Sequence, residues 1–332
     1  MIIDCHCHYL HPSVIDLIAQ GRWSGTIRYD PEGRIVRFPT FASRPVPPGM
    51  IDLGRRLEHM DQIGVDIQIL STWVDMLGPD LPEDAAVSFH RAINEGLAEA
   101  QRAYPRRFRM LASVPLPYGT RAAALLRDAV ERLGAVGALI GTQVGGRPLD
   151  DPAFEPFWRE AETLAVPVVL HPLNQAQTPH LASYYLANLL GNPFDTTVAA
   201  SRLIFGGILD RHPALKIVLV HGGGYLPWAV GRLDHGYCVR AEASTMAQSP
   251  SDYLTRFTYD HIVYNSDILK ALGNRVGWER LVLGSDYPFD MEPANPVALA
   301  IEGGGAEAPE KMGENALRVF GRLVPPSQGG QA

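Results

Sequence analysis

The sequence predicts a (β/α)8 barrel. Eight short apolar runs alternate along the 332 residues with longer segments, and segments such as 84–103 and 119–133 have apolar residues at helical spacing. This strict alternation is typical of parallel strands enclosed by helices. A doubly wound open sheet would need a glycine-rich phosphate loop after an early strand, and no such loop follows the first two runs. The predicted strands are residues 2–9, 65–71, 108–114, 136–142, 167–171, 216–221, 261–265 and 280–286.

Two segments add to this simple barrel. Residues 20–50 contain the turn sequence DPEG at 30–33 between two β-rich arms, which predicts a small β-hairpin insertion after the first strand. Residues 173–194 lengthen the loop after the fifth strand. Since no linker or internal repeat divides the chain, we expect one barrel domain over residues 1–325, followed by a disordered tail at 326–332.

The composition indicates a soluble globular enzyme and excludes several other classes of protein. Hydrophobic residues make up 46% of the chain and charged residues 20%, which is enough apolar material for a large core. The net charge is −7 and the basic residues form no block, so neither nucleic acid nor a membrane surface is an expected partner. Three cysteines, no basic leader and no long apolar stretch together predict a cytoplasmic location.

Candidate functional residues lie at the ends of the predicted strands. The first strand ends with His6 and His8, the fifth with His171, the sixth with His221 and the eighth with Asp286. Because active sites of α/β barrels are built at the C-terminal ends of the strands, we expect these side chains to meet at one mouth of the barrel. Each residue taken alone could equally be a hydrogen-bonded core histidine or a turn aspartate.

The cluster of histidines and cysteines at the N-terminus separates into two faces of a strand. Side chains alternate along a strand, so His6 and His8 share one face while Cys5 and Cys7 share the other and are expected to pack as apolar residues. Imidazoles with a carboxylate suit Zn²⁺ or another divalent transition ion such as Fe, Co, Mn or Ni. We therefore expect a metal held by two histidines of this strand together with His171 and Asp286, with a coordination position left open for water or substrate.

Several motifs in this order resemble the amidohydrolase superfamily. They are the HxH pair, the histidine that ends the fifth strand, the stretch VHGGGYLPW followed by Gly231-Arg232, and GSDYPF at the eighth strand. More narrowly, they are similar to its decarboxylating branch, which includes 2-amino-3-carboxymuconate-6-semialdehyde decarboxylase and the resorcylate, carboxyvanillate and methylsalicylate decarboxylases. The segments MDQIGVDIQILST, LASVPLP and PLDDPAFEPFW also fit, so the resemblance covers nearly the whole chain.

The resemblance implies a role for each residue that matches a motif of the family. It implies the same four metal ligands and makes His221 the acid/base beside a metal-bound water or a metal-bound substrate. In that chemistry Asp286 could share the catalytic proton transfer with His221. It further implies that Arg44, in an Arg-Pro-Val context, and Arg232 bind a substrate carboxylate, with Arg232 reaching the site of the neighbouring subunit in a homodimer. The chain departs from the family at Ser43 and at Leu173-Asn174, where the semialdehyde enzyme has aromatic residues, so the pocket wall differs.

These observations predict a cofactor-free, metal-dependent decarboxylase of an unsaturated or aromatic carboxylic acid. Trp73 and Phe289 follow strands two and eight and could line the substrate pocket or pack in the core. A hydrolase of a lactone or an amide would use the same ligands and is the alternative. The fourth strand lacks a lysine for carboxylation, which favours a single metal ion. A third possibility, a catalytically inactive binding barrel, would require an incomplete ligand set.

Overall fold

The computed structural model describes residues 1–173, 179–321 and 323, and the predicted tail at 326–332 lies outside them. Eight parallel strands form one sheet in the order β1-β4-β5-β6-β9-β10-β11-β12. The sheet closes on itself because the backbone N–H groups of Cys5 and His8 donate to the carbonyls of Leu283 and Tyr287, both at 2.8 Å. The (β/α)8 barrel is therefore confirmed. Its strands are β1 Ile3–His8, β4 Ile67–Ser71, β5 Phe108–Ser113, β6 Gly137–Gly141, β9 Val168–His171, β10 Ile217–Leu219, β11 Phe257–Asp260 and β12 Leu281–Val282.

Helices pack around the barrel because each has one apolar face. In α4, for example, Phe89, Ile93 and Leu97 recur at helical spacing, and all three are buried. The twelve helices in the described part of the chain are α1 Pro12–Ala19, α2 Pro48–Ile51, α3 Leu53–Ile63, α4 Glu83–Ala103, α5 Gly119–Arg132, α6 Glu155–Thr163, α7 Asn192–Phe205, α8 Ile208–Arg211, α9 Leu226–Val239, α10 Ser266–Val276, α11 Pro296–Gly304 and α12 Ala308–Phe320. None of them is both long enough and apolar enough to span a membrane.

Two short hairpins are added to the barrel. The predicted insertion forms β2 Arg28–Asp30 and β3 Ile35–Arg37, which pair antiparallel across the DPEG turn. A second hairpin, β7 Gln143–Val144 and β8 Arg147–Pro148, follows the fourth barrel strand and was not expected from the sequence. The β2–β3 hairpin leads into the loop that carries Arg44 over the barrel mouth.

The predicted position of the seventh strand is wrong. Residues 261–265 form no strand; the strand is Phe257–Asp260, which pairs with β10 and β12. Thr258 and Asp260 give this run a polar pattern, while the apolar residues of HIVYN resemble a buried strand. Asp260 is nevertheless fully buried, because its carboxylate finds hydrogen-bond partners inside the barrel.

Candidate metal centre and substrate cavity

Four histidines and one aspartate from four strand ends meet at the C-terminal mouth of the barrel. The five measured distances between the centroids of neighbouring imidazole rings lie between 4.9 and 5.4 Å. The rings belong to His6 and His8 of β1, His171 at the end of β9, and His221 just beyond β10. Asp286 joins them because its backbone N–H donates to the carbonyl of His6 at 2.8 Å. The structure thus brings these five predicted residues together.

The carboxylate of Asp286 lies at the centre of the group. Its Oδ1 is 3.3 Å from Nε2 of His6 and 3.2 Å from Nε2 of His8, and its Oδ2 is 3.6 Å from Nε2 of His221. Burial alone would raise the pKa of Asp286, but the charge of His6 and the close approach of the surrounding imidazole nitrogens hold it well below its usual value. Asp286 is therefore an anion in a buried site.

In three of the imidazole rings, Nδ1 lies next to a hydrogen-bond acceptor, while Nε2 has no hydrogen-bond partner among the described residues. Nδ1 of His6 lies 2.7 Å from a carboxylate oxygen of Asp260, and Nδ1 of His171 lies 2.7 Å from the carbonyl oxygen of Pro172. Nδ1 of His8 lies 3.2 Å from the carbonyl oxygen of Thr72. These acceptors favour a proton on Nδ1, which leaves a lone pair on Nε2.

The free nitrogens fit a cation. Nε2 of His6, His8 and His171 and Oδ1 of Asp286 are buried, and none has a hydrogen-bond partner among the described residues. Burial lowers the pKa of His8 and takes the pKa of His171 well below its usual value, so both rings are neutral donors. Burial also opposes a charge on His6, but Asp286 and Asp260 raise its pKa to about 10 when no cation is present. A divalent ion would satisfy all four atoms.

Asp260 is a functional residue that the sequence analysis missed. Besides holding His6, its carboxylate accepts hydrogen bonds from the backbone N–H of Gly222 at 2.9 Å and of Ile262 at 3.1 Å. Burial would raise the pKa of Asp260, but the bond from His6 and the charges of His6 and His221 hold it below its usual value. The misplaced seventh strand concealed this residue, because a strand at 257–260 would have placed Asp260 at the same mouth as the other candidates.

The backbone is strained at two of the site residues. His221 has φ 55° and Asp286 has φ 61°, a left-handed conformation that costs energy for residues other than glycine. After His221, the GGG sequence makes a tight turn. Gly224 has φ 62°, and a Cβ there would lie 2.1 Å from the carbonyl oxygen of Pro193. Such strain is concentrated at functional sites.

Arg44 and Phe289 line the cavity next to this centre. The guanidinium of Arg44 makes a bidentate ion pair with Asp75, with Nε to Oδ2 at 3.1 Å and a terminal nitrogen to Oδ1 at 3.0 Å. It also lies 5.2 Å from the ring centroids of both Trp73 and Phe289. Trp73 is fully buried behind the arginine and lines neither of the two cavities at the metal centre. Leu173 packs against Gly141, away from the metal centre, and Asn174 lies outside the described residues.

Arg232 lies outside the cavity of its own chain. It is exposed on α9, one helical turn after Trp228, which lines the cavity and is itself half exposed. In the part of the chain that the structure describes, no carboxylate forms an ion pair with Arg232. Arg232 therefore does not line the cavity that the other candidate residues of the same chain surround.

A closed barrel with histidines and an aspartate gathered at its C-terminal mouth defines a metal-binding barrel enzyme. The chain belongs to the amidohydrolase family, whose model matches residues 3–322. It is 30% identical over 327 residues to a 2-amino-3-carboxymuconate-6-semialdehyde decarboxylase of Dictyostelium discoideum, covering 96% of this chain and 91% of that protein. The family expected from the motifs is confirmed.

Solved structures agree with this assignment. The 5-carboxyvanillate decarboxylase of Sphingomonas paucimobilis superposes with a TM-score of 0.81 at 25% identity, over 96% of this chain and 98% of that one. A dihydroxybenzoic acid decarboxylase of Polaromonas, solved with bound manganese and 2-nitroresorcinol, gives a TM-score of 0.77 at 25% identity, over 96% of each chain. These relatives favour the expected carboxy-lyase over the lactone or amide hydrolase.

Proposed function

We propose that the protein is a metal-dependent decarboxylase of unsaturated or aromatic carboxylic acids. The observation that carries this proposal is the set of four buried donor atoms on His6, His8, His171 and Asp286 that have no hydrogen-bond partner among the described residues. They lie at the mouth of a barrel that is similar to the barrels of known decarboxylases. Imidazole and carboxylate donors suit Zn²⁺, and the bound manganese of the Polaromonas enzyme supports Mn²⁺ as well. Fe and Co fit the same donor set.

His221 competes with His8 for the role of fourth ligand. One candidate group of donor atoms consists of His6, His171, His221 and Asp286, all within 4.8 Å of one another. However, metal-bound histidines have their second nitrogen fixed by an acceptor. Nδ1 of His8 is fixed in this way, whereas Nδ1 of His221 is buried and has no hydrogen-bond partner among the described residues. We therefore assign His8 to the metal and His221 to proton transfer.

The chain's own residues then perform the following chemistry. A bound divalent ion would polarise substrate oxygen atoms and lower the pKa of nearby water. When the bond between the substrate carbon and its carboxylate breaks, the electron pair stays on the carbon and carbon dioxide leaves. The protonated His221, near Asp286 Oδ2, supplies the proton that replaces the carboxylate, and it recovers its own proton from water. Asp286 keeps the ring oriented toward the reacting carbon.

Arg44 is placed to bind a carboxylate of the substrate. Its pairing with Asp75 uses Nε and one terminal nitrogen, so the second terminal nitrogen remains available at the cavity wall. The rings of Trp73 and Phe289 keep the guanidinium plane in place. A fixed arginine recognises a planar carboxylate better than a lysine could, because its donors are held in one plane.

A homodimer in which Arg232 reaches the partner's cavity is supported by the surface around α9. Exposed apolar side chains of the chain surround this region, and Trp228 connects it to the cavity. A surface this apolar is typical of a subunit interface. The exposed apolar residues are Leu189, Leu190, Phe194, Val198 and Trp228.

We also propose that the protein is located in the cytoplasm. All three cysteines are free, and reduced thiols are typical of that compartment.

A decarboxylation screen tests the proposal. Protein loaded with Zn²⁺ or Mn²⁺ is incubated with aminocarboxymuconate semialdehyde and a panel of ortho-hydroxybenzoates, while carbon dioxide release and metal content are measured on the same sample. Metal-dependent release from one or more acids is the expected result. Hydrolysis of a lactone or amide without release of carbon dioxide would instead establish the hydrolase alternative.

A further inference from the structure

Two asparagines stand between two lobes of the substrate cavity. The smaller lobe is lined by Arg44, and the larger one, with a volume of about 390 Å³, is lined by Trp228. Both lobes are lined by His221 and Asp286 of the candidate metal centre and, in addition, by Asn188 and Asn192. A substrate bound at the metal centre therefore has these two side-chain amides beside it.

The backbone presents the two amides on one side of a widened helical turn. Residues Ala187–Gly191 form a π-helix that runs directly into α7, and turns of this kind are concentrated at functional sites. Asn188 and Asn192 are four residues apart, so their side chains point in similar directions. The turn thus places two adjacent hydrogen-bonding groups at the cavity wall.

Asn192 has a buried polar atom without a partner. The residue is only 7% exposed, and its Oδ1 accepts no hydrogen bond from any described residue. Leaving a buried amide oxygen unpaired destabilises the folded chain, so an external donor is the physical reason to keep asparagine at this position. Apolar residues such as Pro193 and Ile262 surround it in the larger lobe.

Other polar groups in the larger lobe already have partners or contact water. The hydroxyl of Tyr225 donates to the carbonyl of Leu190, and Tyr264 is 49% exposed. Apart from atoms of His221 and Asp286 at the metal centre, the buried side-chain atom of this lobe that has no hydrogen-bond partner among the described residues is Oδ1 of Asn192. A carboxylate cannot satisfy this oxygen because it carries no hydrogen to donate.

We infer that Asn192, assisted by Asn188, determines substrate specificity by binding a hydroxyl or amino substituent of the acid. This inference rests on the proposed decarboxylase function. The substituent donates to Oδ1 of Asn192 from the side of the metal centre that faces the larger lobe. Arg44 holds the carboxylate in the smaller lobe, and the apolar walls of the larger lobe enclose the rest of the ring or diene.

The test compares acids that differ only in whether they can donate a hydrogen bond. The probes are 2-hydroxybenzoates with a second hydroxyl at position 3, 4, 5 or 6, each paired with its methoxy analogue. For the wild-type protein we expect kcat/KM at one position to be roughly tenfold higher for the hydroxyl member, as one hydrogen bond implies. Asn192→Leu, which removes the amide at similar volume, should abolish that ratio.

Two further variants separate recognition from packing. Asn188→Leu lies on a half-exposed turn, where it should fold normally, and should reduce the same ratio by a smaller factor. Met291→Leu changes a residue that lines both lobes without changing any hydrogen bond. It should therefore change kcat/KM by the same factor for both acids of each pair. If Asn192→Leu lowers kcat/KM by the same factor for the hydroxyl acid and for its methoxy analogue, the inference is wrong.

Binding measurements keep this inference separate from the proposed function. The same acid pairs are titrated calorimetrically into metal-loaded protein, with thermal melting and metal content recorded for each variant. If no acid is decarboxylated, the proposed function fails, whereas a hydroxyl preference in binding that Asn192→Leu removes still supports this inference. If neither binding nor turnover distinguishes the members of any pair in the wild-type protein, the inference is overturned.

Discussion

The carboxylate of Asp260 lies 2.7 Å from Nδ1 of His6 and also accepts a hydrogen bond from the backbone of Gly222, the residue after His221. One buried side chain therefore orients a proposed metal ligand and the turn that carries the proposed acid/base. Both contacts need an oxygen acceptor, and the two carboxylate oxygens of Asp260 provide one for each part of the site.

Asp260→Asn should weaken metal binding. The amide nitrogen of asparagine would face the Nδ1–H of His6, which favours the tautomer with its proton on Nε2 and removes the lone pair from the centre. Loss of such a contact lowers metal affinity by about 10- to 100-fold. Metal titration of the apo protein measures the effect, and Asp267→Asn, an exposed acid on α10, is the control. Equal affinity in the two variants would contradict the role of Asp260.

His8→Ala and His221→Ala should have different effects on metal content. Without His8 the protein loses a ligand, so we expect bound metal and turnover to fall together. Without His221 the metal should stay, while kcat falls by roughly 10²- to 10⁴-fold because the proton donor is gone. Elemental analysis alongside carbon dioxide release distinguishes the two. Metal loss in His221→Ala as complete as in His8→Ala would show that the group including His221 is the true ligand set.

Arg44→Lys should raise KM far more than it changes kcat. Lysine keeps the positive charge but cannot bond Asp75 and a substrate carboxylate in one plane, so the carboxylate is held less firmly. Hydrogen bonds to charged groups contribute about 1.5–3 kcal/mol, and losing one corresponds to a rise in KM of roughly tenfold or more. Steady-state kinetics measure this. Arg37→Lys, in an exposed ion pair on the hairpin, should leave KM unchanged.

Mixing two inactive variants should restore activity if Arg232 acts across a dimer interface. Arg232→Ala and His221→Ala each disable their own function, but a mixed dimer contains one site with an intact His221 and the partner's intact arginine. Random subunit exchange should then recover about a quarter of wild-type turnover in a twofold dimer. Light scattering gives the oligomeric state. A dimeric mixture with no recovered turnover would place Arg232 in its own chain's site or outside the reaction.

His90 should make the protein less stable in acid. Burial lowers its pKa from 6.5 to about 4, and its neutral ring lies 2.7 Å from the Ser113 hydroxyl and 3.1 Å from the Leu77 carbonyl oxygen. The folded state binds this proton more weakly than the unfolded state. Its full contribution to stability is therefore present above pH 6.5 and is lost as the pH falls toward 4, by about 3 kcal/mol. In His90→Gln, the free energy of unfolding should fall less between pH 7 and pH 4 than in the wild-type protein. If the free energy of unfolding has the same pH dependence in His90→Gln and in the wild-type protein, the prediction is wrong.

The sequence predicted the barrel and the five residues at its centre for the same reason. Strand and helix patterns are local, and the geometry of a parallel barrel brings strand ends together whatever their separation along the chain. His6 and Asp286 could thus be assigned to one mouth although they are 280 positions apart in the sequence. The seventh strand was misplaced because its polar residues are buried by tertiary partners, which local hydrophobicity does not register.

The sequence by itself determined the fold, the family and the kind of chemistry, because these follow from periodic patterns and from residue types at strand ends. Only the tertiary structure decided how the site is held and what surrounds it. Asp260 contacts His6 across 254 positions, and Arg44 pairs with Asp75 above two aromatic rings. At the cavity wall, Oδ1 of Asn192 has no hydrogen-bond partner among the described residues. Such relationships depend on which side chains share a buried volume, and that volume exists only after the barrel has closed.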